Sequence, residues 1–256
     1  MEREKKHFKL TDETINFNGK TLHRIEALVD IPCFAVSVGD LGGFLESYNN
    51  LCGSAWVAND AKVYGSAVVT GNARIFGSAV VCDNAQAYGD ACVYDSAIIS
   101  GYASISNRAC VYEKARVAGH ARILDEAQVY GNAMIYDNAC VGDNAVVSDD
   151  TYVYGHASIN GDSKVLDSAK VYGSVRTYNN VVISDNAEVY GDVTVYDNVV
   201  ISGSAQVYGN TKLSGSIKVC DHAVVGGTSN IGGRVVIGDD MQIIDNDIDG
   251  DDFVIV

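Results

Sequence analysis

The stretch Val63–Val80 reads VYGSAV-VTGNAR-IFGSAV, which is three consecutive copies of one six-residue unit. The unit repeats without an insertion from Leu51 to Ile248, which gives 33 copies. A six-residue period is typical of a parallel β-helix, in which each unit builds one side of a coil. The repeat therefore predicts the architecture of most of the chain.

Each position of the unit has its own residue preference. The first position is Val, Ile or Leu except at Ala87 and Thr177, the fifth is most often Ala, and the sixth is mixed, as at Lys62 and Arg74. Positions five, six and one therefore alternate inward, outward and inward, as side chains do along a strand. The third position is Gly, Asp or Asn except at Glu113, and these residues tolerate the left-handed backbone of a turn. Each unit is predicted to be one short strand followed by one corner.

Three units close a triangular coil, so the chain is predicted to form an all-β solenoid of about 11 coils, on the order of 50 Å long at roughly 4.8 Å per strand. The pattern Leu/Ile/Val-x-Gly/Asp-Asn/Asp-Ala-x resembles the left-handed parallel β-helix of the hexapeptide-repeat superfamily, and this resemblance implies the left hand. The stretch Gly39–Glu46, GDLGGFLE, resembles the leading segment of bacterial and phage-type members. Those members are described as acyltransferases or as polymer-forming repeat proteins.

Three regions are predicted along the chain. Residues 1–50 form a small N-terminal β cap, made of a hairpin at Asn18–Gly19 and the leading segment. Residues 51–248 form the β-helix, and residues 249–256 form a C-terminal strand or cap. A cap is expected because the open end of a solenoid exposes unpaired backbone groups and apolar core.

The charge balance excludes one class of partner. The formal net charge is −15 and no Lys or Arg follows Arg234. Direct binding to nucleic acid needs cations against phosphate, so it is not expected. A basic protein partner remains possible, and one alternative function is an acidic decoy that inhibits a basic, nucleic-acid-binding protein.

Seven scattered cysteines without a C-x-x-C pair support neither a zinc ribbon nor a redox motif. Cys92 and Cys110 are 18 residues apart, so they are predicted to stack at outward positions of adjacent coils, where they could approach a disulfide. A reducing cytoplasm is the simpler location. The stretch Met1–Phe8 has no apolar signal segment, and no apolar run reaches the length of a membrane span. The protein is predicted to be cytoplasmic, without a membrane partner.

Aromatic residues recur at the second position and predict stacked ladders. The longest is the tyrosine edge, formed by Tyr136, Tyr154, Tyr172, Tyr190 and Tyr208. Shorter ladders are predicted for Phe76, Tyr94, Tyr112 and Tyr130, and for Tyr178 and Tyr196. Stacking between coils is one interpretation. The other is that an exposed aromatic strip binds a protein or a carbohydrate.

One outward column contains four valines and two lysines. We define it as the valine wall, formed by Val146, Lys164, Val182, Val200, Lys218 and Val236. Members of the superfamily commonly associate side by side as trimers, so the resemblance implies a homo-oligomer, trimer or dimer, held together by this wall. The alternative is the ordinary preference of valine for exposed strand positions.

The resemblance also implies a possible acyltransferase activity, in which a histidine acts as general base toward an acyl-CoA at a trimer interface. The candidates are His120 and His156, which fall at fourth positions of one predicted edge, as catalytic residues, with acetyl-CoA as the cofactor. A general base needs an orienting partner and an enclosed site. The repeat has no inserted loop to build one, so the sequence favours a non-catalytic protein without a cofactor.

The stretch Asp245–Asp251, DNDIDGD, matches the opening of a calcium-binding loop, with Asp245, Asp247 and Asp249 as weak ligand candidates. The closing Glu of such a loop is replaced by Val256, so no metal is expected. The preferred function is a non-catalytic scaffold or protein-binding β-helix that uses the tyrosine edge and the valine wall.

Overall fold

The computed structural model describes the backbone of residues 6–255 and the side chains of residues 6–250. The described part is an all-β parallel solenoid of about 12 turns with almost no helix, which confirms the predicted fold class and adds about one turn to the expected 11. The chain divides into two compact units, Met1–His120 and Ala121–Val256. The left hand remains a prediction from the resemblance.

The described part of the first unit contains strands β1–β14 and two 3-10 helices, Pro32–Phe34 and Tyr48–Asn50. In chain order the strands are β1 (Phe8–Phe17), β2 (Lys20–Ala27), β3 (Leu41–Leu45), β4 (Trp56–Val57), β5 (Lys62–Val63), β6 (Val68–Val69), β7 (Arg74–Ile75), β8 (Val80–Val81), β9 (Gln86–Ala87), β10 (Cys92–Val93), β11 (Ile98–Ile99), β12 (Ser104–Ile105), β13 (Cys110–Val111) and β14 (Arg116–Val117).

The second unit contains strands β15–β35. In chain order they are β15 (Arg122–Ile123), β16 (Gln128–Val129), β17 (Met134–Ile135), β18 (Cys140–Val141), β19 (Val146–Val147), β20 (Tyr152–Val153), β21 (Ser158–Ile159), β22 (Lys164–Val165), β23 (Lys170–Gly173), β24 (Arg176–Thr177), β25 (Val182–Ile183), β26 (Glu188–Gly191), β27 (Thr194–Val195), β28 (Val200–Ile201), β29 (Gln206–Gly209), β30 (Lys212–Leu213), β31 (Ser216–Val219), β32 (Val224–Gly226), β33 (Asn230–Ile237), β34 (Gln242–Ile244) and β35 (Ile248–Ile255).

Every third strand pairs in parallel, so the strands form three walls in each unit. In the first unit the walls are β4-β7-β10-β13, β5-β8-β11-β14 and β6-β9-β12. In the second unit one wall runs from β17 to β34, a second from β15 to β30 and a third from β16 to β31. The long strand β33 pairs with both β30 and β31. This arrangement confirms the predicted coil of three units.

The buried core and the corners follow the predicted roles of the repeat. The aliphatic first and alanine fifth positions are fully buried, as at Val63 and Ala67. Every third position, from Gly53 to Asp245, has a positive φ, and this includes the exceptional Glu113 at 56°. The sequence therefore predicted where the chain turns, even at a residue that does not favour this conformation.

Aspartates at the corners bind the backbone of the following coil. The Oδ2 of Asp83 accepts a hydrogen bond from the Gly101 N–H at 2.9 Å, and the Asp185 Oδ2 accepts one from the Gly203 N–H at the same distance. The same contact recurs at Asp95, Asp125, Asp137, Asp143, Asp149, Asp167, Asp197 and Asp221. Part of the acidic charge therefore satisfies backbone donors at the turns.

The N-terminal segment forms the predicted hairpin and packs on the first coil. Strands β1 and β2 pair antiparallel across Asn18 and Gly19, whose positive φ values of 51° and 75° fit a tight hairpin turn. Strand β3 pairs antiparallel with β2 and parallel with β5, so it joins the hairpin to the solenoid. The Asn50 Nδ2 donates to the carbonyls of Gly65 and Ala67 at 3.1 and 2.9 Å. These two bonds join the residue before the first coil to the backbone of that coil, and the predicted N-terminal cap and its boundaries stay predictions.

A charged contact also ties the hairpin to the first coil. The Lys20 ammonium lies 2.9 Å from Glu46 Oε1, and the Gly65 N–H donates to Glu46 Oε2 at 2.7 Å. These two hydrogen bonds lower the pKa of the Glu46 carboxyl, the Lys20 contact being the larger cause. The carboxylate therefore holds a turn of the first coil and a strand of the hairpin together.

Candidate functional site

The tyrosine edge is a continuous column of stacked rings in the second unit. The ring centroids of Tyr136, Tyr154, Tyr172, Tyr190 and Tyr208 lie 4.9, 4.8, 5.0 and 5.4 Å apart in turn. The first three pairs are within 3° of parallel and the last is tilted by 11°. The predicted ladder is therefore present, and the spacing of the coils sets the spacing of the rings.

The stacking decides what the tyrosine edge presents to solvent. Both faces of the Tyr154, Tyr172 and Tyr190 rings are covered by a neighbouring ring. All five side chains are half-buried rather than exposed. A sugar or an apolar partner that stacks on aromatic faces would find only ring edges and hydroxyl groups on these three residues. This arrangement favours the structural interpretation of the ladder.

Three hydroxyl groups of the tyrosine edge hold their protons more tightly than an ordinary tyrosine does. Burial raises the pKa of Tyr136, Tyr172 and Tyr190, and the charges that neighbouring phenolates and carboxylates would carry raise each pKa further. An ion pair lies beside the column, with Lys170 Nζ 2.8 Å from Glu188 Oε1. These three hydroxyl groups therefore present neutral hydrogen-bonding groups near this ion pair.

The tyrosine edge ends at a glycine and a polar groove. A side chain at Gly226 would come within 2.4 Å of Tyr208 Cζ, so the ring of Tyr208 lies directly over this glycine. Beyond it lies a groove of about 230 Å³, lined by Asn210, Lys212, Thr228, Ser229, Asn230 and Asp247. Two side chains of the groove bond to the backbone of the protein itself. The Ser229 Oγ donates to the Gly226 carbonyl at 2.8 Å, and the Asp247 carboxylate accepts from the Asn230 N–H at 2.8 Å.

The valine wall is an open column on another side of the second unit. Its six residues are register partners on consecutive coils, in the order Val146, Lys164, Val182, Val200, Lys218 and Val236. The four valines are half-buried and the two lysines are exposed. Val182 and Val200 are the one pair of valines on adjacent coils within the wall, and each of the four valines keeps part of its surface exposed.

The shorter aromatic ladders are also present where the structure describes them. Within the first unit, Phe76, Tyr94 and Tyr112 stack at 4.8 Å per step. Burial and the neighbouring Tyr112 raise the pKa of Tyr94 to about 12. In the second unit, Tyr178 and Tyr196 stack at 5.2 Å.

The histidine candidates lie on exposed corners. The His120 ring stacks on the Tyr102 ring, with the two centroids 4.9 Å apart. The repeat predicted aromatic ladders at the second position only, so this pair at the fourth position was not predicted. His156 is exposed and belongs to the second unit, whereas His120 belongs to the first. The polar groove is lined by neither residue. Of the other histidines, His7 is half-buried, and this burial lowers its pKa despite the hydrogen bond to the Ala55 carbonyl.

The acidic C-terminal candidates mostly bind the backbone. The Asp245 Oδ1 accepts from the Thr228 N–H at 2.9 Å and lies 3.2 Å from its hydroxyl. Asp247 likewise caps Asn230, as described above. Among the described residues, no group of three or more acidic, histidine or cysteine side chains is placed to hold a metal ion. The roles of Asp245, Asp247 and Asp249 as ligands remain untested.

Comparison with known families points in the same direction as the repeat. Residues 145–246 match a family model described as bactofilin, a polymer-forming cytoskeletal family, and residues 127–143 match a model described as the YdcK β-solenoid repeat. Each match covers less than half of the chain, and neither model describes an acyltransferase. A search of curated proteins found no match. The chain is thus similar to polymer-forming β-helix scaffolds, which supports a non-catalytic scaffold. No helix within residues 6–255 has the length and apolar character needed to cross a membrane.

Proposed function

We propose that the protein is a non-catalytic β-solenoid scaffold that associates with further copies of itself through the valine wall. One observation carries this proposal. The whole wall, from Val146 to Val236, lies inside the segment 145–246 that is similar to a polymer-forming family. The tyrosine edge has a structural role in this proposal, because its neighbouring rings cover the faces that a partner would use.

The order of residues along the wall fits a two-fold axis. Val-Lys-Val-Val-Lys-Val reads the same in both directions, so an antiparallel copy centred between Val182 and Val200 would place valine against valine at four of the six positions and lysine against lysine at the other two. Full burial of a valine side chain is worth about 1.5–3 kcal/mol, and part of this is still available at each half-buried valine. The lysine side chains are long enough to extend past the contact into solvent.

Charge opposes this association at low ionic strength. Each copy carries a net charge of −15, and the proposed axis brings Lys164 close to Lys218 of the other copy. Both effects are repulsive and both are screened by salt, whose Debye length is about 8 Å at 0.15 M. We therefore expect the assembly to become more stable as salt is added, because salt screens the repulsion and leaves the apolar contact in place.

A pair of matched double variants tests the proposal. Val182→Asp/Val200→Asp places carboxylates at the centre of the wall. Thr194→Asp/Val224→Asp places them at half-buried outward positions of the other two walls of the same unit. Light scattering over a concentration series should show assemblies for the wild type and the second variant and only monomer for the first. Equal behaviour of the two double variants, with native circular dichroism for both, would reject the valine wall as the interface.

A further inference from the structure

A second column of outward residues, in the first unit, brings two thiols and a guanidinium together. Arg74 and Cys92 are register partners on adjacent parallel strands, and Cys92 and Cys110 are partners on the next pair. Both cysteines are free and half-buried. Neither the proposed scaffold function nor the valine wall uses these residues.

The two sulfur atoms are within reach of each other. Adjacent parallel strands lie about 4.8 Å apart, which falls inside the range of roughly 4.4–6.8 Å between the Cα atoms of a disulfide. The Cys110 thiol donates a hydrogen bond to the Cys92 sulfur. The Arg108 carbonyl, 3.6 Å from Cys110 Sγ, is the competing acceptor. The Cα spacing therefore permits a disulfide, which forms when the two Cβ atoms approach from the strand spacing to roughly 3.5–4.5 Å.

The guanidinium of Arg74, which precedes Cys92 by one coil, lies against two aromatic rings. It lies 4.6 Å from the centre of the Phe76 ring and 5.8 Å from that of Phe34. Its Nε is buried and has no hydrogen-bond partner among the described residues. A buried donor without an acceptor is costly, and a thiolate on the neighbouring residue would supply a negative charge beside it.

These contacts shift the pKa values of the two thiols in opposite directions. The hydrogen bond from Cys110 and, to a smaller extent, the charge of Arg74 lower the pKa of Cys92 to about 7, against the opposing effects of burial and of Asp90. The pKa of Cys110 is raised, first by the same hydrogen bond and then by burial. The contacts therefore favour the thiolate at Cys92 and the protonated thiol at Cys110.

The second unit contains a matched column that lacks the second thiol. Arg122, Cys140 and Ser158 are consecutive register partners, and Arg122 Nη2 lies 3.9 Å from Cys140 Sγ. Here burial outweighs the effect of the arginine, and the pKa of Cys140 is raised. The comparison assigns the difference between the two cysteines to the serine that stands in the place of Cys110.

We infer that Cys92 is a modification site for hydroperoxides and that Cys110 is its resolving thiol. The Cys92 thiolate attacks one oxygen of hydrogen peroxide, the O–O bond breaks, and hydroxide leaves to give a sulfenic acid at Cys92. The Cys110 sulfur then attacks the Cys92 sulfur, the S–O bond breaks, and a disulfide forms. Two thiols and one peroxide give one disulfide and two waters, with two electrons passing from the sulfurs to the peroxide.

Peptide mapping of the peroxide-treated protein tests this inference. The reduced full-length protein is treated with one to ten equivalents of hydrogen peroxide, alkylated and digested with trypsin. Cleavage after Arg108 separates Cys92, in residues 75–108, from Cys110, in residues 109–114. The expected product is a disulfide between these two peptides, with fragmentation placing the bond on Cys92 rather than Cys82. In Cys110→Ser, a sulfenic acid should instead accumulate at Cys92 and be trapped by a 1,3-diketone.

Three controls make the result decisive. Cys140→Ser should react like the wild type, and Cys140 itself should react about tenfold more slowly than Cys92, because it is protonated at neutral pH. Arg74→Met should slow the reaction of Cys92 near pH 7 and leave it unchanged near pH 9, where the thiolate forms without help. Equal rates at Cys92 and Cys140, a disulfide to Cys82, or intact thiols after ten equivalents would each overturn the inference.

Discussion

The tyrosine edge and the valine wall are built by the same repeat, yet they differ in how far their side chains are covered by their neighbours. Both are columns with one residue per coil in the second unit. On the tyrosine edge, flat rings 4.8–5.4 Å apart cover one another. On the valine wall, the branched side chains are only half-buried and leave part of their apolar surface exposed. The same short repeat thus covers flat side chains within one molecule but leaves aliphatic ones partly exposed.

The tyrosine edge should therefore contribute to the free energy of folding, and the valine wall to the free energy of association. The rings contribute to the stability of the folded chain, at roughly 0.5–1.5 kcal/mol per stacked pair. The valines contribute to folding mainly through their strand preference, and their remaining exposed area is available for association. Substitutions on one column should therefore change unfolding, and substitutions on the other should change assembly.

The largest effect on stability is expected where the ladder ends. Gly226→Ala places a methyl group within 2.4 Å of the Tyr208 ring and forces the ring out of the stack. Overpacking of this kind costs about 1–3 kcal/mol. The free energy of unfolding in urea should fall by that amount. In a Tyr208→Ala background the same substitution should cost less than about 0.5 kcal/mol, and an undiminished cost there would show that the clash is not with the ring.

Removal of a ring from the middle of the ladder should cause the next largest loss in the free energy of unfolding. Tyr172→Ala deletes two stacked pairs, whereas Tyr178→Ala deletes one pair at an exposed corner. We expect losses of about 1–3 kcal/mol for Tyr172→Ala and about half of that for Tyr178→Ala. Urea denaturation of both variants measures this ratio. Equal losses would mean that stacking does not add up along the column.

Alkaline pH should weaken the ladder. The folded pKa values of Tyr136, Tyr172 and Tyr190 lie above the ordinary value of 10.0, so the folded state binds these protons more tightly than the unfolded state does. The resulting stability is complete below pH 10 and is lost as the pH rises through the folded pKa values. Thermal unfolding between pH 9 and 12, with phenolate absorbance recorded in parallel, should show a midpoint that falls above pH 10. A midpoint that rises over this range would contradict the assignment.

The smallest effect on stability is expected on the valine wall. Val200→Thr keeps the shape and the strand preference of the side chain, so unfolding should change by less than about 0.5 kcal/mol. The hydroxyl group would nevertheless be buried against the partner copy, and the assembly should weaken. A stability loss as large as that of Tyr172→Ala would show that the wall is part of the folded core rather than an interface.

The repeat predicted the coil, the strands and the corners because backbone geometry depends on residue type at fixed positions. Even Glu113, whose side chain does not favour a left-handed corner, adopts φ of 56° because the coils on each side of the repeat require it. Asn18–Gly19 predicted the hairpin turn for a similar local reason.

Contacts that depend on side-chain direction could not be predicted in the same way. The pairing of Asp83 with the Gly101 N–H, the stacking of His120 on Tyr102 and the buried Nε of Arg74 all depend on rotamers set by the neighbouring coil. Two interpretations of the tyrosine edge were open, stacking between coils and an exposed strip. Its side chains are half-buried and its middle rings are covered on both faces. The sequence places these rings in one column and cannot show how they are turned.

Sedimentation velocity of the wild-type protein tests self-association most directly. The measurement is made over a hundredfold range of protein concentration, at low and at moderate salt. The scaffold account predicts sedimentation coefficients that increase with concentration, and larger species at moderate salt, because repulsion between copies of net charge −15 is then screened. A single monomeric species at every concentration and in both buffers would contradict the account.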